Sequence, residues 1–179
     1  FNHVDNSDDF LKGCYQVLKN EGLIILEVPD LDSLINGYGF DTIYHEHRQY
    51  FSINSIKKVL IKNNYTLLSF EKINYMSGSL RIFAKKNKKN KKNIKLKTET
   101  IYQKRKKLNK FIKFEKKIFL IKAEILNFIN KYKKENKTIV GIAAATKGNT
   151  LLNFCGINHK DLKCIIESSP HKINKFTPG

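Results

Sequence analysis

The stretch Asp8-Asp9-Phe10-Leu11-Lys12-Gly13-Cys14-Tyr15-Gln16-Val17-Leu18-Lys19-Asn20-Glu21-Gly22-Leu23-Ile24-Ile25-Leu26-Glu27-Val28-Pro29 decides the fold class. Phe10, Leu11, Cys14, Tyr15 and Leu18 recur at helical spacing, which predicts a helix over 8–19 with one apolar face. Asn6-Ser7-Asp8 supplies an N-cap, and Gly22 suits the left-handed position that ends a helix. Leu23 to Val28 is then apolar with one acid, and Pro29 closes it. A helix, a glycine turn and a continuous apolar strand predict an α/β layer with a buried parallel strand.

Working outward, residues 30–52 read as a loop, with Gly37 and Gly39 ahead of a dense polar-aromatic run. A helix is expected over 54–63, where Ile56, Val59 and Leu60 share a face. Strands follow over 65–75 and 78–85, joined by a Ser77-Gly78-Ser79 turn into an antiparallel hairpin. Residues 87–97 are low-complexity Lys/Asn, a solvated linker. A long helix runs from about 99 to 132 on a near-heptad stripe that includes Leu108, Ile118, Ile125 and Ile129. Such a stripe fits a helix bridging two domains or a coiled-coil seam. Thr138–Ala145 reads as a strand, 146–150 as a turn, 151–155 as a helix ended by Gly156, and 162–166 as a strand ending at Glu167; together they make a βαβ unit.

With 179 residues and 41% hydrophobic content the chain can bury a core, as one domain or two small ones. The composition excludes a collagen, a disulfide scaffold and a zinc ribbon, and leaves an enzyme open. Its three cysteines, Cys14, Cys155 and Cys164, are widely spaced and read as reduced thiols. No secretory leader is visible, and no apolar run approaches a membrane span, so a cytoplasmic location and no membrane partner are expected. The chain opens at Phe1 and closes at Thr177-Pro178-Gly179, and reads as a piece of a longer protein.

The net charge of +18 is concentrated. Residues 85–137 hold 21 Lys or Arg against four acids, while the rest of the chain holds 13 against 12. A segment this basic reads either as a nucleic-acid or anionic-surface binder, or as drift toward the Lys, Ile and Asn of AT-rich codons. The 34 cations include only three arginines, where a phosphate and base reader keeps arginine for bidentate contacts. Nucleic acid is therefore not expected as the partner.

Two clusters carry chemistry. Phe40-Asp41-Thr42-Ile43-Tyr44-His45-Glu46-His47-Arg48-Gln49-Tyr50-Phe51 holds two histidines, two acids, two tyrosines and an arginine. Its two histidines are at i, i+2, which does not match a helical zinc pair, so no metal is assigned here. A histidine with a nearby carboxylate is suited to proton transfer near neutrality. The second cluster, Gly141 to Thr150, joins a strand to a helix, where free N–H groups bind phosphate and Lys147 adds charge. It has neither the GxxxxGK[ST] nor the GxGxxG spacing, and close helix–strand packing accounts for its small residues equally well.

Taken in order, Asp9-Phe10-Leu11, Glu27-Val28-Pro29, Phe40–His47, Tyr50-Phe51-Ser52, Gly78-Ser79-Leu80-Arg81, Lys147–Asn153, Cys155-Gly156, Pro170, Lys172 and Pro178-Gly179 resemble a known family. It is that of the S-adenosylmethionine-dependent C-methyltransferases acting on nucleotide-linked deoxysugars, such as sugar C-3′-methyltransferases. The resemblance implies the end of a Rossmann-like methyltransferase domain over 1–86. A Lys-rich linker and long helix follow over 87–137, and a partial C-terminal Rossmann-like α/β domain that binds the nucleotide sugar over 138–179. It places the main S-adenosylmethionine motif, and a zinc-binding module, upstream of Phe1, so the fragment alone is expected to be inactive. It implies methylation of a carbon next to the keto group of an NDP-4-keto-deoxysugar. His47 would remove the C–H proton with Glu46 beside it, Tyr44 would donate to the enolate oxygen, and His3 would be a further active-site histidine. His45 would be structural. Lys147 and Asn149 would hold the diphosphate or nucleotide, Glu167 a ribose or base edge, and Ser79 and Arg81 would face the substrate. Met76-Ser77-Gly78-Ser79 departs from the family's His-Gly-Gly-Ser. The rival reading is a basic nucleic-acid-binding or degenerate nucleotide-sugar-binding module without catalysis.

Overall fold

The computed structural model describes residues 1–75, 78–88 and 101–178, with side chains from residue 108 onward in the last stretch. Met76, Ser77, most of the Lys/Asn linker and the start expected for the long helix lie outside the described residues. The fold is mixed α/β and divides into two compact units, Phe1–Gly39 with His45–Lys110, and Phe40–Tyr44 with Phe111–Gly179.

The first unit is built on α1 (Ser7–Val17), β1 (Leu23–Pro29), α2 (Leu31–Asn36), α3 (Ile53–Lys62), β2 (Tyr65–Ile73) and β3 (Ser79–Lys86). The Asn6 side chain caps α1, accepting from the N–H groups of Asp8 and Asp9. Ser52 and Ser55 form a reciprocal capping box at the start of α3. The sheet order is β1-β3-β2 and both pairings are antiparallel. The hairpin expected from 65–85 is present, with a bulge at Leu68 between the Leu67 and Ser69 pairings.

Three expectations are corrected here. The apolar run Leu23–Val28 is not a doubly buried parallel strand. It pairs antiparallel with β3; Leu26 and Val28 are buried, whereas Leu23 and Ile25 are more than half exposed. A run apolar on both faces carries no period-2 signal, so burial on one face alone could not be read from it. Residues 30–52 are not all loop: Asp30 caps the short helix α2 through its side chain. The left-handed residue after α1 is Glu21 (φ 62°), not Gly22; a Cβ at Gly22 would lie 2.8 Å from the Lys19 carbonyl oxygen.

The core is one cluster of Leu11, Leu26, Val28, Phe51, Ile56, Leu60, Tyr65, Leu80, Ile82 and Ala84, which joins α1 and α3 to one sheet face. The Tyr65 hydroxyl is buried in it and donates to the Leu11 carbonyl at 3.0 Å.

The long helix is α4 (Ile101–Lys134). From residue 111 it belongs to the second unit, with β4 (Gly141–Ile142), α5 (Thr146–Cys155) and β5 (Ile165–Ile166). β4 and β5 are parallel, so the βαβ reading holds with shorter strands. The segment 146–150 is not a turn but the start of α5, which Gly156 ends at φ 75°. The short 3-10 turn Phe40–Thr42 packs on α5, with the Phe40 ring 4.8 Å from that of Phe154.

Candidate functional site

The polar-aromatic run divides between the units: Phe40–Tyr44 falls in the second and His45–Phe51 in the first. Each part is described within its own unit.

In the first unit the run returns beside the chain's opening residues. The Arg48 N–H donates to the Asn2 carbonyl at 3.0 Å, and Gln49 Nε2 to the Val4 carbonyl at 3.1 Å. The Arg48 guanidinium pairs with Asp5 at 2.9 Å. These contacts bring together His3 and His47, which are distant in sequence: their rings lie 5.0 Å apart, edge to face. Tyr50 adds a third ring, 6.2 Å from that of His47. Asn2 is buried, and its Nδ2 finds no hydrogen-bond partner among the described residues. His47 is half-buried, while His45 and Glu46 are exposed. The Glu46 carboxylate lies 3.9 Å from His45 Nε2. The histidine that sequence reasoning left as structural is thus the one that Glu46 approaches.

The far end of the run is held at the junction of β1 and α2. Phe51 bridges Asp30 in parallel, and its carbonyl accepts the Leu31 N–H at 3.0 Å. The Asp30 carboxylate is 1% exposed and accepts from Ser33 Oγ at 2.7 Å, Asp32 N–H at 3.1 Å and Lys72 Nζ at 3.0 Å. Burial is the largest single influence on this carboxyl and pushes it up, but the hydrogen bonds from Ser33, Lys72 and Asp32 together outweigh it and hold the pKa below the ordinary value. Sequence reasoning gave Asp30 no role, although an acid that follows a strand and precedes Leu31-Asp32-Ser33 is a legible cap.

Ser79 is buried and pairs with Pro29 and Ile73 across the sheet. Arg81 sits between Glu27 (Nη2–Oε2 2.9 Å) and Glu71 (Nη1–Oε2 3.8 Å), its register partners on the two flanking strands. Its charge is therefore engaged by its own sheet.

In the second unit, β4 runs into α5 through Ala143, a non-glycine residue at φ 68°. Ala145 caps α5 without a side-chain hydrogen bond, so nothing from the cap residue covers the first-turn N–H groups. The Asn149 Oδ1 is buried and has no partner among the described residues. A cavity of about 130 Å³ lies here, lined by Gly141, Ala143, Asn149, Leu162, Ile165 and Thr177 among others. Lys147 Nζ is 3.5 Å from the Asp41 carboxylate of the polar-aromatic run. Glu167 follows β5 and accepts from the N–H groups of Ser169 (3.0 Å), Ala144 (2.8 Å) and Ser168 (2.8 Å), which hold its carboxyl below the usual range. Lys172 donates to the Ala144 carbonyl at 2.8 Å. Glu167 thus staples the strand–helix turn that surrounds the cavity.

No cluster of three His, Cys, Asp or Glu that could hold a metal is found among the described residues. No helix there is long and apolar enough to cross a membrane.

Residues 74–179 match the model of a family described as the C-methyltransferase C-terminal domain. Along its whole length the chain is 26% identical to the C-methyltransferase NovU of Streptomyces niveus, and it spans 44% of the length of that relative.

Proposed function

The chain belongs to the C-methyltransferase C-terminal domain family, and from that membership we propose that the intact protein is an S-adenosylmethionine-dependent C-methyltransferase of which this chain is the C-terminal portion. Its substrate in this reading is an NDP-4-keto-deoxysugar, methylated on a carbon next to the keto group. The observation that carries the proposal is the paired placement of His3 and His47, rings 5.0 Å apart beside Tyr50, on a segment tied down at both flanks.

A carbon next to a ketone loses its proton only to a base held within hydrogen-bond reach. Half-buried His47 is that base, and His3, whose ring lies edge to face with it, is a further histidine of the active site. Tyr44 takes the role that the resemblance implies, an O–H donor to the oxygen on which enolate charge develops. Glu46 contributes negative charge on the same segment rather than a fixed orientation of His47, since its close approach is to His45. Lys147 and the α5 N-terminus suit the diphosphate, with Asn149 toward the nucleotide. Lys147 exchanges Asp41 for phosphate when the donor binds. Glu167 acts by shaping the turn, because its oxygens already serve three N–H groups.

S-adenosylmethionine supplies the methyl group when bound. Asp30, the acid just after β1, is engaged by Ser33, Asp32 and Lys72 and is not assigned to the cofactor. The resemblance puts the main cofactor motif and a zinc-binding module outside this chain, and no step is assigned to either.

Two measurements test the proposal. Calorimetry of UDP, TDP, GDP and CDP, with duplex DNA as control at two salt concentrations, is expected to show saturable, base-selective nucleotide binding that Lys147→Gln weakens. DNA binding that collapses with salt, and no nucleotide binding, supports the basic-module reading instead. In the full-length protein His47→Asn is expected to remove turnover of a TDP-4-keto-deoxysugar. Turnover at the wild-type rate would show that His47 is not the base.

A further inference from the structure

Asp30 is the one carboxylate of the first unit's described core, and neither the methyl transfer nor sugar binding uses it. Burying a charged carboxylate costs several kcal/mol unless it is paired and hydrogen-bonded. A helix cap requires far less: an exposed Ser or Asn serves as well, with one oxygen accepting one N–H. Here both oxygens are engaged, and a lysine from β2 reaches in with its stem half exposed. Ser33, one of the donors, is itself wedged. A Cβ at Gly78 would come within 2.5 Å of the Ser33 Cβ, so the backbone at Gly78 packs closely against this side chain.

The backbone at this point is a junction. The Asp30 N–H donates to the Gly78 carbonyl at 3.0 Å, and the next N–H, of Leu31, holds the Phe51 carbonyl. Phe51 lies four residues beyond His47 and directly after Tyr50, whose ring stands against that of His47. The near flank of the same segment is fixed by Asn2, Val4 and Asp5. The clamped carboxylate thus sets the peptide from which the far flank hangs.

We propose that Asp30 is a positioning residue for the histidine segment: its buried carboxylate, gripped by Ser33, Asp32 N–H and Lys72, fixes the Asp30–Phe51 bridge and through it the place of the His47 ring. The proposal rests on the reading of His47 as the base. Misplacing a catalytic group by about 1 Å costs on the order of 100-fold in rate.

The experiment uses the full-length protein, with a TDP-4-keto-deoxysugar and S-adenosylmethionine as probes. Asp30→Asn keeps the shape and one acceptor oxygen but removes the charge that Lys72 grips. Lys72→Met removes the grip from a half-exposed position, so it decides the matter even where Asp30→Asn does not fold. Lys72→Arg restores a cation. For Asp30→Asn and Lys72→Met, kcat is expected to fall roughly 10- to 100-fold with KM for the sugar within about twofold. Lys72→Arg is expected to keep most of the rate. Amide exchange at 48–51 is expected to accelerate in the first two variants while that of β3 stays as in the wild type. That readout needs no turnover and no particular sugar. If Lys72→Met lowers the melting temperature but leaves kcat and exchange at 48–51 unchanged, the positioning role is wrong, and Asp30 is only a structural cap. If exchange at 48–51 accelerates while His47→Asn retains turnover, the assignment of the base falls and the clamp stands.

Discussion

Gly78→Ala is expected to be among the most damaging single-methyl additions to the first unit. Gly78 sits at φ +102°, where an L side chain is strained, and its new Cβ would lie 2.5 Å from Ser33 Cβ and 2.7 Å from Ser33 Oγ. The backbone strain alone costs about 1–3 kcal/mol. Contact between carbons is comfortable only near 3.5–4.0 Å, so Ser33 must retreat by about 1 Å. Ser33 Cβ moves only with its backbone, and α2 is held by the Asp30 cap and the Leu31–Phe51 bond. Overpacking of this kind costs about 1–3 kcal/mol. The retreat also lengthens the 2.7 Å bond from Ser33 Oγ to the Asp30 carboxylate, and a bond to a charged group contributes about 1.5–3 kcal/mol. The last two losses are one displacement seen twice, so a total of about 3–5 kcal/mol is expected, a large share of the 5–15 kcal/mol typical of a folded domain. Urea unfolding followed by far-ultraviolet circular dichroism measures it. Gly13→Ala is the matched control: Gly13 lies within α1 with nothing within 4 Å of its added Cβ, and the change is expected to stabilise by about 0.5–1 kcal/mol. A loss below about 1 kcal/mol for Gly78→Ala, with the midpoint slope unchanged, would refute the wedge between Gly78 and Ser33.

Two further predictions concern pH. Burial pushes the Tyr65 hydroxyl up to about 12, helped by the nearby Cys14 and Tyr15. The neutral form is favoured in the fold, so the stability it lends is complete below about 10, its unfolded value, and is lost as pH climbs toward the folded one. An absorbance titration of the phenolates is expected to show one tyrosine ionising last, together with unfolding. Tyr65→Phe should remove that linkage at a cost of about 1 kcal/mol near neutrality, and a Tyr65 that titrates with the exposed tyrosines would disprove it. Glu167 is shifted the other way. The N–H groups of Ser169 and Ala144, with that of Ser168, hold its carboxyl below the ordinary 4.5. Its contribution is present above that value and fades as pH falls through the lower folded one. Amide protection of Ala144 and Ser169 is expected to drop on acidification below about 4.5, and Glu167→Gln should flatten that pH response. Protection that is unchanged by acid would remove the staple from the account.

What could be read in the sequence follows from how local each signal is. α1 was legible because its cap and apolar spacing lie within a dozen residues, α3 from its apolar spacing alone, and the hairpin because β3 alternates cleanly: Leu80, Ile82 and Ala84 are fully buried. The sense of β1 was not legible. Leu23-Ile24-Ile25-Leu26 looks the same whether a strand is buried on one face or two, and only its partners decide. The start of α5 was hidden by its composition. Lys147-Gly148-Asn149-Thr150 carries turn residues, and its cap, Ala145, has no side chain with which to announce a helix.

The polar-aromatic run shows why a site is harder to read than a fold. Its density of histidines, acids and tyrosines marked it at once, and the resemblance attached His3 to it from outside. Yet nothing within 40–51 states which of its residues do chemistry and which merely hold, because several are recruited by partners far away in sequence. Phe40 finds Phe154, Asp41 finds Lys147, Arg48 finds Asp5 and His47 finds His3. Arg81 teaches the converse. The resemblance turned it toward substrate, and in the sheet Glu27 and Glu71 stand at its register on both sides. Asp30 is legible locally as a cap, but its clamp shows only when Lys72 and Phe51 arrive around it. Residue type locates chemistry along a chain, but tertiary pairing divides it into roles, and that division turns here on contacts spanning 40 residues or more, as in the pairing of Lys72 with Asp30.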